Sequence, residues 1–341
     1  MSHFMRSNGI WLDALRGVRG MGNSAPQASV IIATWNRRKF LQRALESLEQ
    51  QTCPQDCFEV IVVDNASTDD TADFLADYIL RKSLPLRVFR EERLGISFAR
   101  NAGVKQARGN LLLFLDDDAR ADPDWIVQYL RFFAERPADI AGGKILPDWE
   151  VPPPDWMNIP AVAGLLSLLD YGSQARKLTN EYVFGANFAM RKKVFEQLGS
   201  FCEDLGRKGA DFGGGEETEL QDRVRRKGGQ VWYCPEARVY HWTPQSRLQL
   251  DFLIRRSYGV GRMARYISPS KFTFLQSIRL YRKAIFRYFR YRFACAQGDR
   301  KRALKYLLEL AYKWGELGRP ETDLLRLLRY FPANPNSLCL G

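Results

Sequence analysis

The chain has 341 residues, of which 51 are Lys or Arg and 39 are Asp or Glu, so its formal net charge is +12. No apolar run reaches the roughly 18 to 20 residues of a membrane-spanning helix. The six cysteines include no Cys-x-x-Cys pair, and residues 1–27 show no charged-then-apolar signal segment with a small-residue cleavage site. These features disfavour a disulfide framework and predict a cytoplasmic protein.

Apolar runs alternate with segments of helical periodicity through the N-terminal part of the chain. They predict strands over residues 29–34, 59–63, 86–89 and 110–115, with helices over 39–51, 67–80 and 96–107 between them. Such alternation requires a mostly parallel α/β sheet with right-handed crossovers. The carboxyl ends of the strands then share one edge, which is where open α/β folds bind ligands.

Three consecutive acids, Asp116–Asp118, directly follow the apolar run Leu111–Leu115. A run of this kind is typical of a strand buried on both faces, so the acids emerge at the carboxyl edge of the sheet. Carboxylate oxygens suit Mg²⁺ or Mn²⁺, and substrate phosphates often complete the coordination shell. A turn in which an Asp caps the next helix is the alternative for an isolated triplet.

Polar side chains also follow the first and second strands. Thr34 and Asn36 come after the first strand, and Asp64 and Asn65 come after the second. A carboxylate placed like Asp64 can accept hydrogen bonds from a base or a ribose. Arg100 precedes the fourth strand, where a planar guanidinium suits a diphosphate. No Gly-x-Gly-x-x-Gly or Gly-x-x-x-x-Gly-Lys-Ser/Thr loop is present, which argues against a dinucleotide enzyme or a P-loop ATPase.

Two later segments add candidate residues. Residues 183–188 are typical of a strand in which Gly185 and Asn187 let a sugar approach, and a core strand with a glycine kink explains them equally well. Three glycines and two glutamates, residues 213–217, then begin a short amphipathic helix. Surface acids that compensate the helix dipole would explain the glutamates but not the glycines, which favour a loop that yields to a ligand.

The positive charge lies in the C-terminal region. Residues 251–330 carry 19 Lys and Arg against 6 Asp and Glu, which leaves residues 1–250 with a net charge of −1. A helix predicted over residues 277–296 spaces four basic residues among Phe and Tyr: Arg279, Lys283, Arg287 and Arg290. This pattern favours contact with anionic lipid headgroups. Packing on the first 250 residues, with the arginines facing solvent, is the alternative, and nucleic acid is disfavoured because those nearly neutral residues offer no companion patch.

Six segments, taken in order, resemble the family 2 glycosyltransferases, which have the A-type glycosyltransferase (GT-A) fold. They are Val30–Arg37, Val62–Asp69, Leu94–Gly103, Phe114–Asp118, Gly213–Leu220 and Val239–His241. The resemblance implies a Rossmann-like, mostly parallel sheet flanked by helices. Together with the charge pattern, it predicts a tail over residues 1–27, a catalytic domain over 28–250 and a basic helical appendage over 251–341.

The resemblance also implies a role for each matching residue. Nucleoside binding would fall to Thr34, Asn36 and Asp64, and donor binding also to Asn65 and Arg100. Among the three acids, Asp118 would bind Mn²⁺ or Mg²⁺ and Asp116 would lie nearer the ribose or the sugar. Asp117 would contribute to donor binding. If the match to the family motif were offset by one residue, Asp117 would instead have the role given to Asp116 or Asp118.

Two further positions complete the implied site. His241 matches a metal ligand of many relatives, although packing between its aromatic neighbours Tyr240 and Trp242 explains it about equally well. Mn²⁺ accepts one imidazole among oxygen ligands. Glu217 matches the general base, where the family commonly has Asp, and Glu216 is a reserve candidate.

The resulting expectation is a metal-dependent, inverting glycosyltransferase acting in polysaccharide or glycoconjugate synthesis. It would move a hexose-type sugar from a nucleotide-sugar donor, with UDP favoured, to a carbohydrate or lipid-linked acceptor. A nucleotide-sugar pyrophosphorylase is one alternative, but it requires a glycine-rich, basic loop that residues 34–37 do not provide. A non-catalytic sugar-nucleotide-binding protein is the other, and it would be favoured if Glu217 lay far from the metal.

Overall fold

The structure of the protein, a computed structural model, describes residues 25–209, 213–267 and 274–330. These residues form two compact units. The sheet unit takes in the described parts of Met1–Asp148, Leu169–Gly209 and Glu216–Trp242, and the helical unit takes in those of Trp149–Leu168, Ala210–Gly215 and Thr243–Gly341. Residues 1–24 of the predicted tail lie outside the described residues, and the predicted boundary at residue 250 stays a prediction.

The strands and helices follow the chain in this order. The strands are β1 (Ala28–Thr34), β2 (Phe58–Asp64), β3 (Leu86–Arg90), β4 (Leu111–Leu115), β5 (Ala119–Ala121), β6 (Ile140–Trp149), β7 (Arg176–Leu178), β8 (Asn187–Arg191) and β9 (Val231–Thr243). The helices are α1 (Arg38–Glu49), α2 (Thr71–Arg81), α3 (Ile96–Gln106), α4 (Trp125–Glu135), α5 (Pro160–Leu165), α6 (Lys192–Leu198), α7 (Glu216–Arg226), α8 (Leu250–Ile267), α9 (Phe274–Ala296), α10 (Arg300–Glu316) and α11 (Glu321–Tyr330).

A nine-stranded sheet forms the centre of the sheet unit. The strand order is β3-β2-β1-β4-β8-β6-β9-β5, and β7 pairs with β9. Strands β3, β2, β1 and β4 run parallel, whereas β8 and the short strands β5 and β7 pair antiparallel with their neighbours. The predicted α/β class is confirmed. The four strands that run parallel, β1 to β4, are those that the alternation of strands and helices predicted.

The central parallel strands form because both of their faces are buried in apolar surroundings. Val30, Ile31 and Ile32 of β1 are at most 1% exposed, and every residue of β2 and β4 is buried. Helix α3 packs closely on this layer, since a Cβ at Gly103 would lie 2.6 Å from Cγ2 of Ile31. Parallel strands covered in this way are held firmly, which fixes the positions of the residues at their ends.

The helical unit is built on α8, α9, α10 and α11. Helices α8 and α10 approach closely through two glycines: a Cβ at Gly261 would lie 2.0 Å from the carbonyl oxygen of Tyr312, and one at Gly315 would lie 2.1 Å from that of Tyr258. Helix α9 packs on α10 through an apolar cluster that includes Ala284. Within the described ranges, no helix is long and apolar enough to span a membrane.

Candidate active site

The carboxyl ends of β1, β2 and β4 lie side by side because these strands pair in parallel. Thr34 pairs with Asp64 across the ends of β1 and β2, and β4 ends at Leu115, directly before the three acids. Asn36 follows β1 with a positive φ of 52°, and its Oδ1 accepts a hydrogen bond from the backbone N–H of Thr68 at 2.7 Å. The predicted polar residues are therefore brought together at one edge of the sheet.

The three acids after β4 make different contacts. Asp117 is 5% exposed, and its carboxylate accepts hydrogen bonds from Thr34 Oγ1 at 2.8 Å and from Arg37 Nη1 at 3.0 Å. Burial raises the pKa of the Asp117 carboxyl, with Asp118 adding to the effect and Arg37 opposing it. Arg37 Nη1 also donates to Asp118 Oδ2 at 2.9 Å. Asp117 thus anchors the acidic segment to the end of β1. Among the described residues, Asp116 forms no hydrogen bond with Thr34 or Arg37 and is bonded to Arg100 instead.

Strand β9 brings a histidine to these acids. His241 pairs with Ala119 across β9 and β5, and the N–H of Trp242 donates to the carbonyl oxygen of Asp118 at 2.8 Å. Nε2 of His241 lies 3.1 Å from Asp118 Oδ1. One potential ligand atom from each of Asp116, Asp118 and His241 lies within 4.8 Å of the others. Two carboxylates and an imidazole are donors that Mn²⁺ accepts, so these residues fit a divalent cation.

A buried arginine connects this group to a second pair of acids. Arg100, on α3, is 4% exposed, and it donates to Asp116 Oδ1 at 3.0 Å and to Glu216 Oε1 at 2.6 Å. Its guanidinium lies about equally far from two aromatic rings, 6.0 Å from the centroid of Phe114 and 5.9 Å from that of Phe201. Arg100 therefore sets the positions of two carboxylates, and its predicted contact with a diphosphate stays a prediction.

Glu216 and Glu217 begin α7. The preceding Gly215 has a φ of 90°, which glycine adopts without steric cost. Glu216 is 4% exposed, and burial followed by the nearby Glu217 carboxylate raises its pKa, although Arg100 opposes the shift. In both residues Oε2 is buried and accepts no hydrogen bond from any residue that the structure describes. Glu216 is paired with Arg100 through Oε1, whereas Glu217 forms no ion pair with any residue that the structure describes.

The other residues predicted to bind the donor are held by protein groups. Asp64 is 3% exposed and accepts hydrogen bonds from the N–H of Ser67 at 3.0 Å and from Arg90 Nη1 at 2.7 Å. The amide of Asn65 makes three hydrogen bonds to the main chain, at Glu91 O, Arg93 O and Gly95 N–H. These bonds fix the loops after β2 and β3, and a role toward a nucleoside stays a prediction.

The strand predicted over residues 183–188 is wrong in its bounds. The strand begins only at Asn187, and residues 185–186 form a turn. Gly185 leaves room for Arg100, because a Cβ there would lie 2.4 Å from Arg100 Nη2. Asn187 has no exposed surface, and its amide is used by four protein groups: Trp125 Nε1, Tyr129 OH, Lys144 O and Ala237 O. Both residues therefore support the core, and the approach of a sugar to them stays a prediction.

Two arginines at the sheet edge were not singled out from the sequence. Arg37 bridges Asp117 and Asp118, and Arg90 pairs with Asp64. Each arginine has a feature that could have identified it as a partner of these acids. Arg37 lies immediately after the polar residues that follow β1, and Arg90 is opposite Asp64 in the parallel register of β2 and β3.

Comparison with known sequences identifies the family. Residues 29–199, half of the chain, match the family described as Glycosyl transferase family 2. The chain belongs to this family. This glycosyltransferase is 27% identical over 242 residues to the glucosyl-dolichyl phosphate glucuronosyltransferase of Haloferax volcanii, an alignment that covers 69% of this chain and 75% of that one. It is 33% identical over 112 residues to the poly(ribitol-phosphate) beta-N-acetylglucosaminyltransferase TarS of Staphylococcus aureus, covering 33% of this chain and 20% of TarS.

Solved structures show the same fold at low sequence identity. The mannosyltransferase PcManGT from Pyrobaculum calidifontis, in complex with GDP-Man and Mn²⁺, superposes with a TM-score of 0.57 at 19% identity, covering 93% of this chain and 79% of that one. GalNAc-T7 with UDP, GalNAc and Mn²⁺ superposes with a TM-score of 0.53 at 18% identity, covering 91% of this chain and 57% of that one. The fold of this glycosyltransferase is therefore GT-A.

Proposed function

We propose that the enzyme is a metal-dependent, inverting glycosyltransferase. It moves a hexose-type sugar from a nucleotide sugar, with UDP the favoured nucleotide, to a carbohydrate or lipid-linked acceptor in polysaccharide or glycoconjugate synthesis. The observation that carries the proposal is the group formed by Asp116, Asp118 and His241, whose ligand atoms lie within 4.8 Å of one another. Arg100 connects this group to Glu216, the residue that precedes the candidate base Glu217 at the start of α7.

The relatives support the substrate classes. PcManGT is described with GDP-Man and Mn²⁺ and GalNAc-T7 with UDP and Mn²⁺, which agrees with a nucleotide-sugar donor and a divalent metal. The name of the Haloferax volcanii relative includes a glucosyl-dolichyl phosphate, and that of TarS includes poly(ribitol-phosphate). A lipid-linked or polymeric acceptor is consistent with both.

Each acid of the site has a distinct task in the proposed mechanism. Asp116, Asp118 and His241 would hold the cation, which when bound offsets the negative charge that develops on the departing diphosphate. Glu217 is the general base, because no ion pair engages its carboxylate among the described residues, whereas Glu216 is paired with Arg100. The acceptor hydroxyl gives its proton to Glu217 as its oxygen attacks the anomeric carbon opposite the leaving group.

The decisive experiment is a screen of nucleotide sugars for Mn²⁺-dependent hydrolysis by the purified protein. Release of a nucleoside diphosphate, and its acceleration by an added acceptor, is the expected result. Release of inorganic diphosphate from a nucleoside triphosphate and a sugar phosphate would instead indicate a pyrophosphorylase. Tight donor binding without turnover of any donor would indicate a non-catalytic binding protein.

We also propose where the reaction takes place. Bacteria keep nucleotide sugars in the cytoplasm, and the strongly basic C-terminal region favours the anionic cytoplasmic face of a membrane, where a lipid-linked acceptor would be presented. Recovery of the protein in a membrane fraction from which concentrated salt releases it is the expected result, and recovery only in the soluble fraction would contradict this location.

A further inference from the structure

One helix carries most of the large apolar side chains that are exposed. Of the nine such side chains among the described residues, five lie on α9: Ile278, Ile285, Phe286, Phe289 and Phe293, with exposed fractions of 43%, 53%, 54%, 64% and 66%. Their spacing places them on one face of the helix. At 1.5 Å per residue the face is about 22 Å long. We call these five residues the apolar stripe.

The opposite face of α9 is packed against its own unit. Ala284, Tyr291 and Ala294 are 1%, 5% and 2% exposed and belong to the apolar cluster of the helical unit. The helix is therefore fixed on one side and presents the apolar stripe on the other. A stripe of this size on an anchored helix marks a surface that binds a partner or a membrane.

The charge of α9 selects between these partners. The helix contains six basic residues and no acidic one. Four of the six are exposed and lie among or beside the stripe: Arg279, Arg282, Lys283 and Arg290. Arg287, which the sequence pattern placed on the lipid-binding face, instead forms an ion pair with Glu309 of α10. The cationic face is thus redefined, with Arg282 in place of Arg287.

We propose that α9 docks on an anionic lipid bilayer, with the apolar stripe inserted at the boundary between headgroups and acyl chains and the four exposed basic residues on headgroup phosphates. A surface that is both apolar and cationic matches this environment, which offers hydrocarbon and negative charge in adjacent layers. A second copy of the chain fits poorly, because two α9 helices in contact would oppose like charges with no acid on either. A neutral apolar partner would leave the arginines without counter-charges.

The test is co-sedimentation of the full-length protein with vesicles of phosphatidylcholine, alone or mixed with phosphatidylglycerol. We expect binding only to the mixed vesicles, weakened by salt. Replacing three aromatic residues of the stripe, Phe286→Ser with Phe289→Ser and Phe293→Ser, should lower partitioning by on the order of tenfold or more. Replacing the four exposed basic residues of α9 by Gln should lower it by roughly fivefold per residue.

Matched controls separate docking from damage to the fold. Leu80→Ser removes an apolar side chain that is 72% exposed on α2, and it should leave vesicle binding unchanged. The charge control replaces four exposed basic residues of the sheet unit by Gln: Lys105, Arg108, Lys193 and Lys227. The thermal midpoint and the nucleotide-sugar hydrolysis of every variant should match those of the wild type, so a failure of docking is distinguishable from a failure of the proposed activity.

Three outcomes would overturn the proposal. The first is that the wild-type protein does not bind the mixed vesicles, and the second is that the triple serine variant binds them as well as the wild type. The third is that the wild-type protein sediments as a dimer and the triple serine variant as a monomer, which would assign the stripe to a second copy of the chain.

Discussion

The two ends of the candidate site differ in how fully their polar groups are used. At the first, which we call the filled end, Asp64 and Asn65 are almost completely buried, and every oxygen and the amide nitrogen has a protein partner. At the second, the open end, ligand atoms of Asp116, Asp118 and His241 converge. Buried oxygens of Glu216 and Glu217 at this end accept no hydrogen bond from described residues.

The difference indicates which end is built for stability and which for chemistry. A buried polar group without a partner costs about 1–3 kcal/mol, so the unpaired oxygens of Glu216 and Glu217 persist only where the surrounding fold holds them in place. A cation would bind the converging ligand atoms of Asp116, Asp118 and His241. Substitutions there should reduce activity more than stability, and substitutions at the filled end should do the reverse.

The largest effect is expected for Asp118→Ala at the open end. The change removes a carboxylate that lies 3.1 Å from His241 and should abolish both Mn²⁺ binding and Mn²⁺-dependent hydrolysis of the donor. Isothermal titration with Mn²⁺ and the hydrolysis assay measure the two effects. Asp116→Ala should be similarly severe, and Asp117→Ala milder because Asp117 lies outside the group of ligand atoms.

Asp77→Ala is the matched control for Asp118→Ala, since the Asp77 side chain is 64% exposed on α2. It should change neither Mn²⁺ binding nor hydrolysis. Full activity of the Asp118 variant with unchanged metal dependence would remove the basis for a metal site here.

Glu217→Gln should come next, with a loss in kcat of about 10² to 10⁴. The amide keeps the shape of the side chain but cannot accept a proton, so donor and Mn²⁺ affinity should be retained. Donor binding and kcat are measured separately, with Glu216→Gln as the neighbouring comparison. An inactive Glu216 variant beside an active Glu217 variant would move the base by one residue, and lost donor binding in Glu217→Gln would indicate a ligand role.

The open end was accessible from sequence because its signal is local. Asp116–Asp118 directly follow a buried strand, and Glu216 and Glu217 begin a helix after glycines, so their place at the sheet edge and helix start follows from the chain itself. For His241 the sequence favours a packing role and a ligand role equally, because only the pairing of β9 with β5 brings it beside Asp118. The metal-binding role of the group is still a prediction.

The other misjudged residues depend on contacts that are distant along the chain. Asn187 resembles a ligand-binding residue in sequence, yet Trp125 and Tyr129 use its amide in the core. Likewise the periodicity of α9 predicted a cationic helix, but only the packing of the helices shows that Arg287 forms an ion pair with Glu309 of α10. A pattern along one element specifies its faces, whereas the partner of each face is set by the tertiary fold.

At the filled end, Asn65→Ala should lower the free energy of unfolding by about 2–4 kcal/mol, because it removes three hydrogen bonds to buried main-chain groups. The activity of the folded fraction should fall much less than in Glu217→Gln. Urea denaturation followed by circular dichroism measures the stability, and Asn180→Ala, at an exposed position, is the control. A variant with wild-type stability and no donor binding would show that Asn65 serves the ligand and not the fold.

The smallest expected effect is at Arg37, which bridges Asp117 and Asp118. Its Nη1 donates to Asp118 Oδ2 at 2.9 Å and therefore competes with a cation for that carboxylate. The Arg37 side chain is 35% exposed, so solvent weakens the ion pair to below about 1 kcal/mol. Arg37→Gln should accordingly tighten Mn²⁺ binding by only about two- to fivefold, measured by titration without donor, while Arg37→Lys, which keeps the charge, should leave it nearly unchanged. If the Gln variant binds Mn²⁺ more weakly, Arg37 holds Asp118 in its binding position instead of competing for it. The open end would then depend on hydrogen bonds between protein groups, as the filled end does.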